Sequence, residues 1–361
     1  MCTVTFFRHR DCKHMWATIT EPCGPGMGFY TCRSFEDPGV TKARPPVYRT
    51  RGRSCPRCGM EGMGEAVDGN LVRLVERMGW GLKIGVGPDE DDWGVDLRCE
   101  IQTHQGMLPT PDTSHVPYER VYEPSEDSFL LLDTLSSEAQ RLFLRNHLSS
   151  SSSSSNHPRL VVEVGTGSGV VLAFVHAHAE AILGSRHVFT SGVDVSVVAC
   201  RATVATVDKT CREDGDEGNG RRASYLGACV ADLVSPWRDG SVDLLIFNPP
   251  YVPTPSLPSP PSGAEESKPS FETDSHLLEL AYAGGRDGMQ TTDRLIDDLP
   301  RVLSPAGCAY IILCAQNKPP LVMERIRAFG PAWRAEAVAS SGKTAGWEKL
   351  QVVRVWREPL P

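Results

Sequence analysis

Residues 160–169 read Leu160-Val161-Val162-Glu163-Val164-Gly165-Thr166-Gly167-Ser168-Gly169. A short apolar, β-branched run suits a buried strand. Glycines directly after it allow a tight turn and a close approach of backbone to a ligand. The following residues, 169–183, read as an apolar helix. A dinucleotide fingerprint needs Gly-x-Gly-x-x-Gly, but position 170 is Val and the third glycine is Gly169. That departure disfavours a nicotinamide cofactor. A glutamate just before the loop, Glu163, suits a cationic ligand better than a pyrophosphate.

Outward from this stretch, strands and helices alternate. Strands are expected at 187–193, 225–230, 242–247 and 308–313, with helices at 196–211, 293–303 and 320–329. Residues 332–339 and 349–356 suit a final antiparallel pair. Upstream, Phe129, Leu132, Leu135, Leu142 and Phe143 share one face of a helix over 126–147. The serine run 149–155 and the charged, glycine-rich 212–222 read as loops, and the Pro/Ser-rich 252–275 reads as a mobile insertion. The pattern implies an α/β fold with a doubly wound, mostly parallel sheet. Ligands in such sheets sit at the carboxyl ends of the strands, beside the switch point.

The polar residues that stand out all follow predicted strands. Gly165 and Gly167 lie in the glycine turn. Asp194 ends the second strand, 29 residues after Gly165. An acidic residue in that register can accept hydrogen bonds from both ribose hydroxyls. Asp232 follows the third strand and reads equally well as an acceptor for an adenine amino group or as a loop carboxylate. Asn248-Pro249-Pro250-Tyr251 follows the apolar Leu244-Leu245-Ile246-Phe247 and is the most specific signal. Two prolines remove two amide donors, so strand-end carbonyls can face a pocket. The Asn248 side chain adds a second acceptor, and two converging acceptors suit an NH2 group. Tyr251 offers a flat face for a planar amide or base. The chemistry this points to is transfer to a planar amide or amine nitrogen.

Tyr122-Glu123-Pro124-Ser125-Glu126-Asp127-Ser128, the loop 163–169, Asp194, Asp232-Leu233, Asn248-Pro249-Pro250-Tyr251 and Ala283-Gly284-Gly285-Arg286-Asp287-Gly288 together resemble the eukaryotic HemK-type methyltransferases. The resemblance covers about residues 107–361. It implies the seven-stranded class I fold with an antiparallel final strand and S-adenosyl-L-methionine as cofactor. It implies methylation of the glutamine in the Gly-Gly-Gln loop of the class I translation release factor. Ser128, Glu163, Gly165, Gly167, Asp194, Asp232, Leu233 and Asn248 would contact the cofactor. Asn248 and Pro249 would orient the amide, with Pro250 and Tyr251 on the substrate side. The resemblance also implies a small zinc-binding activator subunit on the sheet edge formed by 225–230. Other acceptors open to the same fold are protein lysine and adenine N6. A different class of reading is a scaffold that binds cofactor without catalysis.

The net charge of −8 belongs to residues 107–361, because the basic excess of 1–60 and the acidic excess of 61–106 cancel. An acidic body argues against tight binding to phosphate backbones. Residues 1–106 show no sustained period of two or of 3.6 and read as a disordered or spurious extension, with one short helical pattern at 71–78. Cys55-Pro56-Arg57-Cys58 has half-zinc-site spacing, with His9, His14, Cys23 and Cys32 nearby. Lacking a second pair, it reads as a thiol-bearing tail, and no metal is expected. The dispersed cysteines and a start without a signal-like pattern give cytosol or nucleus as the expected location.

Overall fold

The computed structural model describes strands at 3–9, 15–21, 47–50, 83–85 and 95–96, and then residues 108–149, 158–213, 223–260, 270–341 and 349–358. The helical pattern at 71–78, the Cys55/Cys58 pair, most of the serine run and the middle of the 252–275 insertion lie outside the described residues. The chain divides into two units between Met107 and Leu108. The first carries β1 (Thr3–His9), β2 (Met15–Glu21), β3 (Val47–Thr50), β4 (Lys83–Gly85) and β5 (Val95–Asp96), in the order β3-β1-β2-β4-β5. The expectation of a segment without regular elements is therefore corrected for these residues. β1 and β2 are rich in β-branched and aromatic residues, which favour strands even where no clean alternation marks them.

The second unit holds a seven-stranded sheet. Its strands are β6 (Arg159–Val164), β7 (Val188–Asp194), β8 (Ser224–Val230), β9 (Val242–Phe247), β10 (Leu303–Cys314), β11 (Trp333–Ser340) and β12 (Leu350–Arg357). They lie in the order β11-β12-β10-β9-β6-β7-β8, with β12 antiparallel to β10 and β11. This is the α/β architecture that the sequence implied. The chain leaves β6 for β7 and β8, then returns to the other side of β6 with β9. The switch point therefore falls between β6 and β9.

Helices cover both faces, so the central strands read as continuous apolar runs. Alternate residues serve opposite cores. Leu244 and Ile246 of β9, with Tyr310 and Ile312 of β10, meet α1 (Glu126–Ser136), α2 (Glu138–Ser149), α3 (Val170–Ala177) and α4 (Ala179–Leu183). Leu245 and Phe247, with Ile311 and Leu313, pack with Leu295, Ile296 and Leu299 of α7 (Gln290–Val302) and with Val322 and Ile326 of α8 (Pro319–Arg327). Two further helices are α5 (Val197–Glu213) and α6 (Phe271–Tyr282).

Three helical expectations change. The helix over 126–147 divides at Ser137, whose ψ is 144°. Ser136 and Ser137 hydroxyls donate back to the carbonyls of Asp133 and Thr134, and the Ser137 Oγ accepts weakly from the Gln140 N–H at 3.4 Å. Serine thus stops one helix and caps the next. The helix over 169–183 likewise divides, at His178, and closes at left-handed Gly184. The expected insertion 252–275 is shorter than its composition suggested. Val252 bridges to Ala283, and α6 begins at Phe271 with Ser270 capping it.

Gly169 caps α3 at φ +77°, and a Cβ there would lie 2.6 Å from the Thr203 Cα of α5. We expect Gly169→Ala to destabilise the fold by about 2–4 kcal/mol, combining left-handed strain with overpacking. A denaturant titration should show a lower midpoint with an unchanged slope.

Candidate active site

The parallel pairings set the strand ends level. Val164 lies opposite both Phe247 and Val193, and Asp194 lies opposite Val230. The residues that follow therefore converge at one end of the sheet. They wall a cavity of about 430 Å³. Ser128, Glu163, Gly165 and Gly167 line it, as do Asp194, Asp232 and Leu233. So do Asn248, Pro249 and Pro250.

The glycine turn is pinned to its neighbour strand. Gly165 N–H donates to the Val193 carbonyl at 2.8 Å, and Gly167 N–H donates to Asp194 Oδ2 at 3.0 Å. Asp194 Oδ1 accepts from Ser196 N–H at 2.9 Å. Each carboxylate oxygen thus accepts from a backbone N–H, and a carboxylate oxygen can accept more than one hydrogen bond. Gly165 and Gly167 sit at φ +63° and +50°, a region that a side-chain-bearing residue enters only with strain.

Glu163 is buried at 3% exposure. Burial pushes its carboxyl up to about 8, and the Asp194 carboxylate adds to the rise. Hydrogen bonds from the Thr166 hydroxyl at 3.0 Å and the Leu172 N–H at 2.9 Å act the other way. A cation placed beside Glu163 would favour the ionised form. The expectation of a cationic ligand fits this environment.

Asn248 follows β9, and its Oδ1 is buried with no hydrogen-bond partner among the described residues. A buried acceptor left unmade costs about 1–3 kcal/mol. At a cavity wall, such an atom awaits a donor from a ligand. Both expected ligand types therefore find a fitting group here: carboxylates for a cation and a ribose, and an orphaned amide oxygen for an N–H donor.

The turn that carries Asn248 is held from behind. Asn317, buried at the end of β10, donates its side-chain N–H bonds to the Tyr251 carbonyl at 3.2 Å and the Asp287 carbonyl at 3.0 Å. Its Oδ1 accepts from Cys314 N–H at 2.8 Å. The Ala283–Gly288 run closes the other side. A Cβ on Gly284 would lie 2.4 Å from the Pro250 carbonyl, and one on Gly288 would lie 2.0 Å from the Tyr251 carbonyl. Only glycine lets these backbones touch.

Tyr251 departs from expectation. It is absent from the residues lining the cavity, and its ring packs against the core cluster that includes α1. Its hydroxyl donates to Asp127 Oδ2 at 3.4 Å. The clamped turn directs the ring back toward α1, so it props the wall instead of facing a ligand. Asp232 lines the cavity half-exposed, and Arg294 of α7 donates to one of its two oxygens, Oδ2. Sequence reasoning missed Arg294 and Asn317, which no local pattern marks. It also missed Leu257 and Pro258 with Leu277 and Leu280 of α6, which also line the cavity. The dense prolines after Tyr251 were the available signal.

No family model matches the chain. A mouse protein named methyltransferase HEMK2 is 31% identical over 254 residues, spanning 68% of this chain and 96% of that protein. The eRF1 methyltransferase catalytic subunit mtq2 of Schizosaccharomyces pombe is 31% identical, spanning 70% of this chain and 96% of that one. A release factor glutamine methyltransferase of Bradyrhizobium diazoefficiens is 27% identical over 230 residues, spanning 63% of this chain and 57% of that protein.

Glu163 makes stability depend on pH. Its folded value of about 8 lies above the ordinary 4.5, so the folded form holds a proton that the unfolded chain releases between those values. This contribution is full below about 4.5 and is lost as pH rises through about 8. Denaturant midpoints of the ligand-free protein should fall over that window, and Glu163→Gln should flatten the fall. A steep fall that survives in the Gln variant would assign it elsewhere.

Proposed function

The chain belongs to the eukaryotic HemK-type family of S-adenosylmethionine-dependent methyltransferases, and from that premise we propose that it methylates the glutamine N5 of the Gly-Gly-Gln loop in the class I release factor. The orphaned Asn248 Oδ1 at the cavity wall carries this reading. An amide NH2 offers two donors, and the wall offers Asn248 Oδ1 and the Pro249 carbonyl as acceptors. The mouse relative's name gives methyltransferase, the yeast relative's gives eRF1, and the bacterial relative's gives glutamine.

A glutamine amide is a weak nucleophile, because its nitrogen lone pair is delocalised. S-adenosylmethionine, when bound, supplies an electrophilic methyl group on a sulfonium. Asp194 would hold the ribose hydroxyls, Asp232 and Leu233 the adenine, and Glu163 the positive charge. Asn248 and Pro249 take both amide N–H bonds, which fixes the nitrogen's orientation. Such positioning contributes about 7–11 kcal/mol in favourable cases. Both acceptors strengthen as positive charge develops on the nitrogen, which lowers the barrier selectively. No histidine or lysine lines the cavity among the described residues, and this reading gives the amide proton to solvent after transfer.

Asn248→Ala should abolish methyl transfer while cofactor affinity falls only modestly. Retention of more than about a tenth of kcat, a loss of about 1.4 kcal/mol or less, would contradict the role. Labelled-methyl transfer to release factor, histone and DNA in parallel tests the substrate. Label on histone or DNA but not on release factor would redirect the reading to lysine or adenine.

The activator subunit belongs to the same proposal. β8 is the sheet's edge strand, with Leu226 and Val230 at 55% and 54% exposure. The sequence here is apolar on both faces, and the structure exposes Ser224, Leu226 and Val230 while the rest of the strand is half-buried. The strand has no Lys or Pro to blunt it, and such edges invite pairing. The yeast relative's name includes the words catalytic subunit. A small zinc-binding partner adding a strand along β8 fits these observations. Leu226→Asp should break the co-purified complex. Retention of the partner by that variant would move the interface away from β8.

A further inference from the structure

The adenine end of the cavity contains a charge that the methyltransferase reading does not use. Arg294 lines the cavity beside Asp232, and its Nη2 donates to Asp232 Oδ2. Asp232 Oδ1 has no partner among the described residues. The pair is not one link in a diffuse surface network. The acidic neighbours of Arg294 on α7, Asp293 and Asp297, are both held by Arg325 of α8, each at 2.5 Å.

The backbone beneath Asp232 is over-determined. Ala231 N–H donates to the Asp194 carbonyl at 2.9 Å, tying the two strand ends together. Leu233 adopts φ +50° although it is not glycine. Its side chain is buried at 8% exposure in the second core, which holds the strained turn in place. Fixed backbone alone does not fix a carboxylate, because χ1 and χ2 still rotate and the side chain is half-exposed.

We propose that Arg294 is a positioning residue for the cofactor's adenine: it holds one oxygen of Asp232 so that the other faces the cavity as the acceptor for the purine amino group. This rests on the methyltransferase reading above. Without Arg294 the carboxylate would rotate and hydrate, and the amino group would have to reorder it. An exposed pair adds little to folding stability, so removing Arg294 leaves a folded protein to test.

The test is calorimetric titration of the full chain with S-adenosylmethionine and with an analogue that carries hydrogen in place of the purine amino group. Arg294→Ala should raise Kd for the natural cofactor about three- to five-fold, the range of one modest ion-pair effect. In steady state the loss should fall on KM for the cofactor more than on kcat. With the deamino analogue, and in an Asp232→Asn background, Arg294→Ala should add no loss. Arg294→Lys should restore most of the affinity, since a single contact does not need the guanidinium fork. An Arg294→Ala variant that binds cofactor as tightly as wild type, or more tightly, overturns the proposal. An equal loss with the deamino analogue also overturns it. Wild-type protein that binds neither compound would instead overturn the methyltransferase reading on which the proposal stands.

Discussion

The parallel pairing of β6 with β9 is the constraint from which the site follows. Their hydrogen bonds place Val164 level with Phe247, so Gly165 and Asn248 leave the sheet side by side. Because the chain has already travelled outward to β7 and β8, two connections diverge at this point and leave a crevice. Most of β6 and β9 is buried Val, Leu, Ile and Phe, and a slip of one residue would exchange the two cores. The position of the polar site is thus set by the packing of apolar side chains in the two cores.

Inside that crevice the protein carries two unfavourable features at once. Glu163 is buried with its carboxyl raised, and Asn248 Oδ1 is buried without a partner. Both lie within a few residues of the strand ends that the core holds rigid. A ligand with a positive charge and N–H donors relieves both. The free protein is therefore complementary to something it does not contain, and the affinity it shows will include the relief of its own desolvated groups.

What the sequence disclosed was whatever is encoded over a few adjacent residues. The glycine turn, Asp194 and the Asn-Pro-Pro-Tyr segment each sit at the end of an apolar run, and the structure brings them to one cavity. Tyr251 was legible as a residue but not as a direction, because its ring orientation depends on Asp127 and on α1. Arg294 and Asn317 carry no local mark. They matter only because α7 and the turn after β10 fold back on Asp232 and Tyr251, 62 and 66 positions earlier. The break at Ser137 shows a related limit. The hydrophobic stripe continues across it, but two serine hydroxyls compete for the carbonyls that a continuous helix would use. β1 and β2 were missed for the reverse reason, since propensity acted there without periodicity.

The Asn317 clamp has a consequence for synthesis as well as for the finished enzyme. Its amide reaches Tyr251, 66 residues earlier, and Asp287, 30 residues earlier. Until β10 has emerged from the ribosome and paired with β9, the Asn-Pro-Pro-Tyr segment exists as sequence but has nothing to hold its carbonyls. The glycine turn and Asp194, by contrast, are hydrogen-bonded to each other through groups of β6 and β7 that lie earlier in the chain. Translation therefore supplies the residues of the ribose-binding half before the residue that clamps the methyl-accepting half.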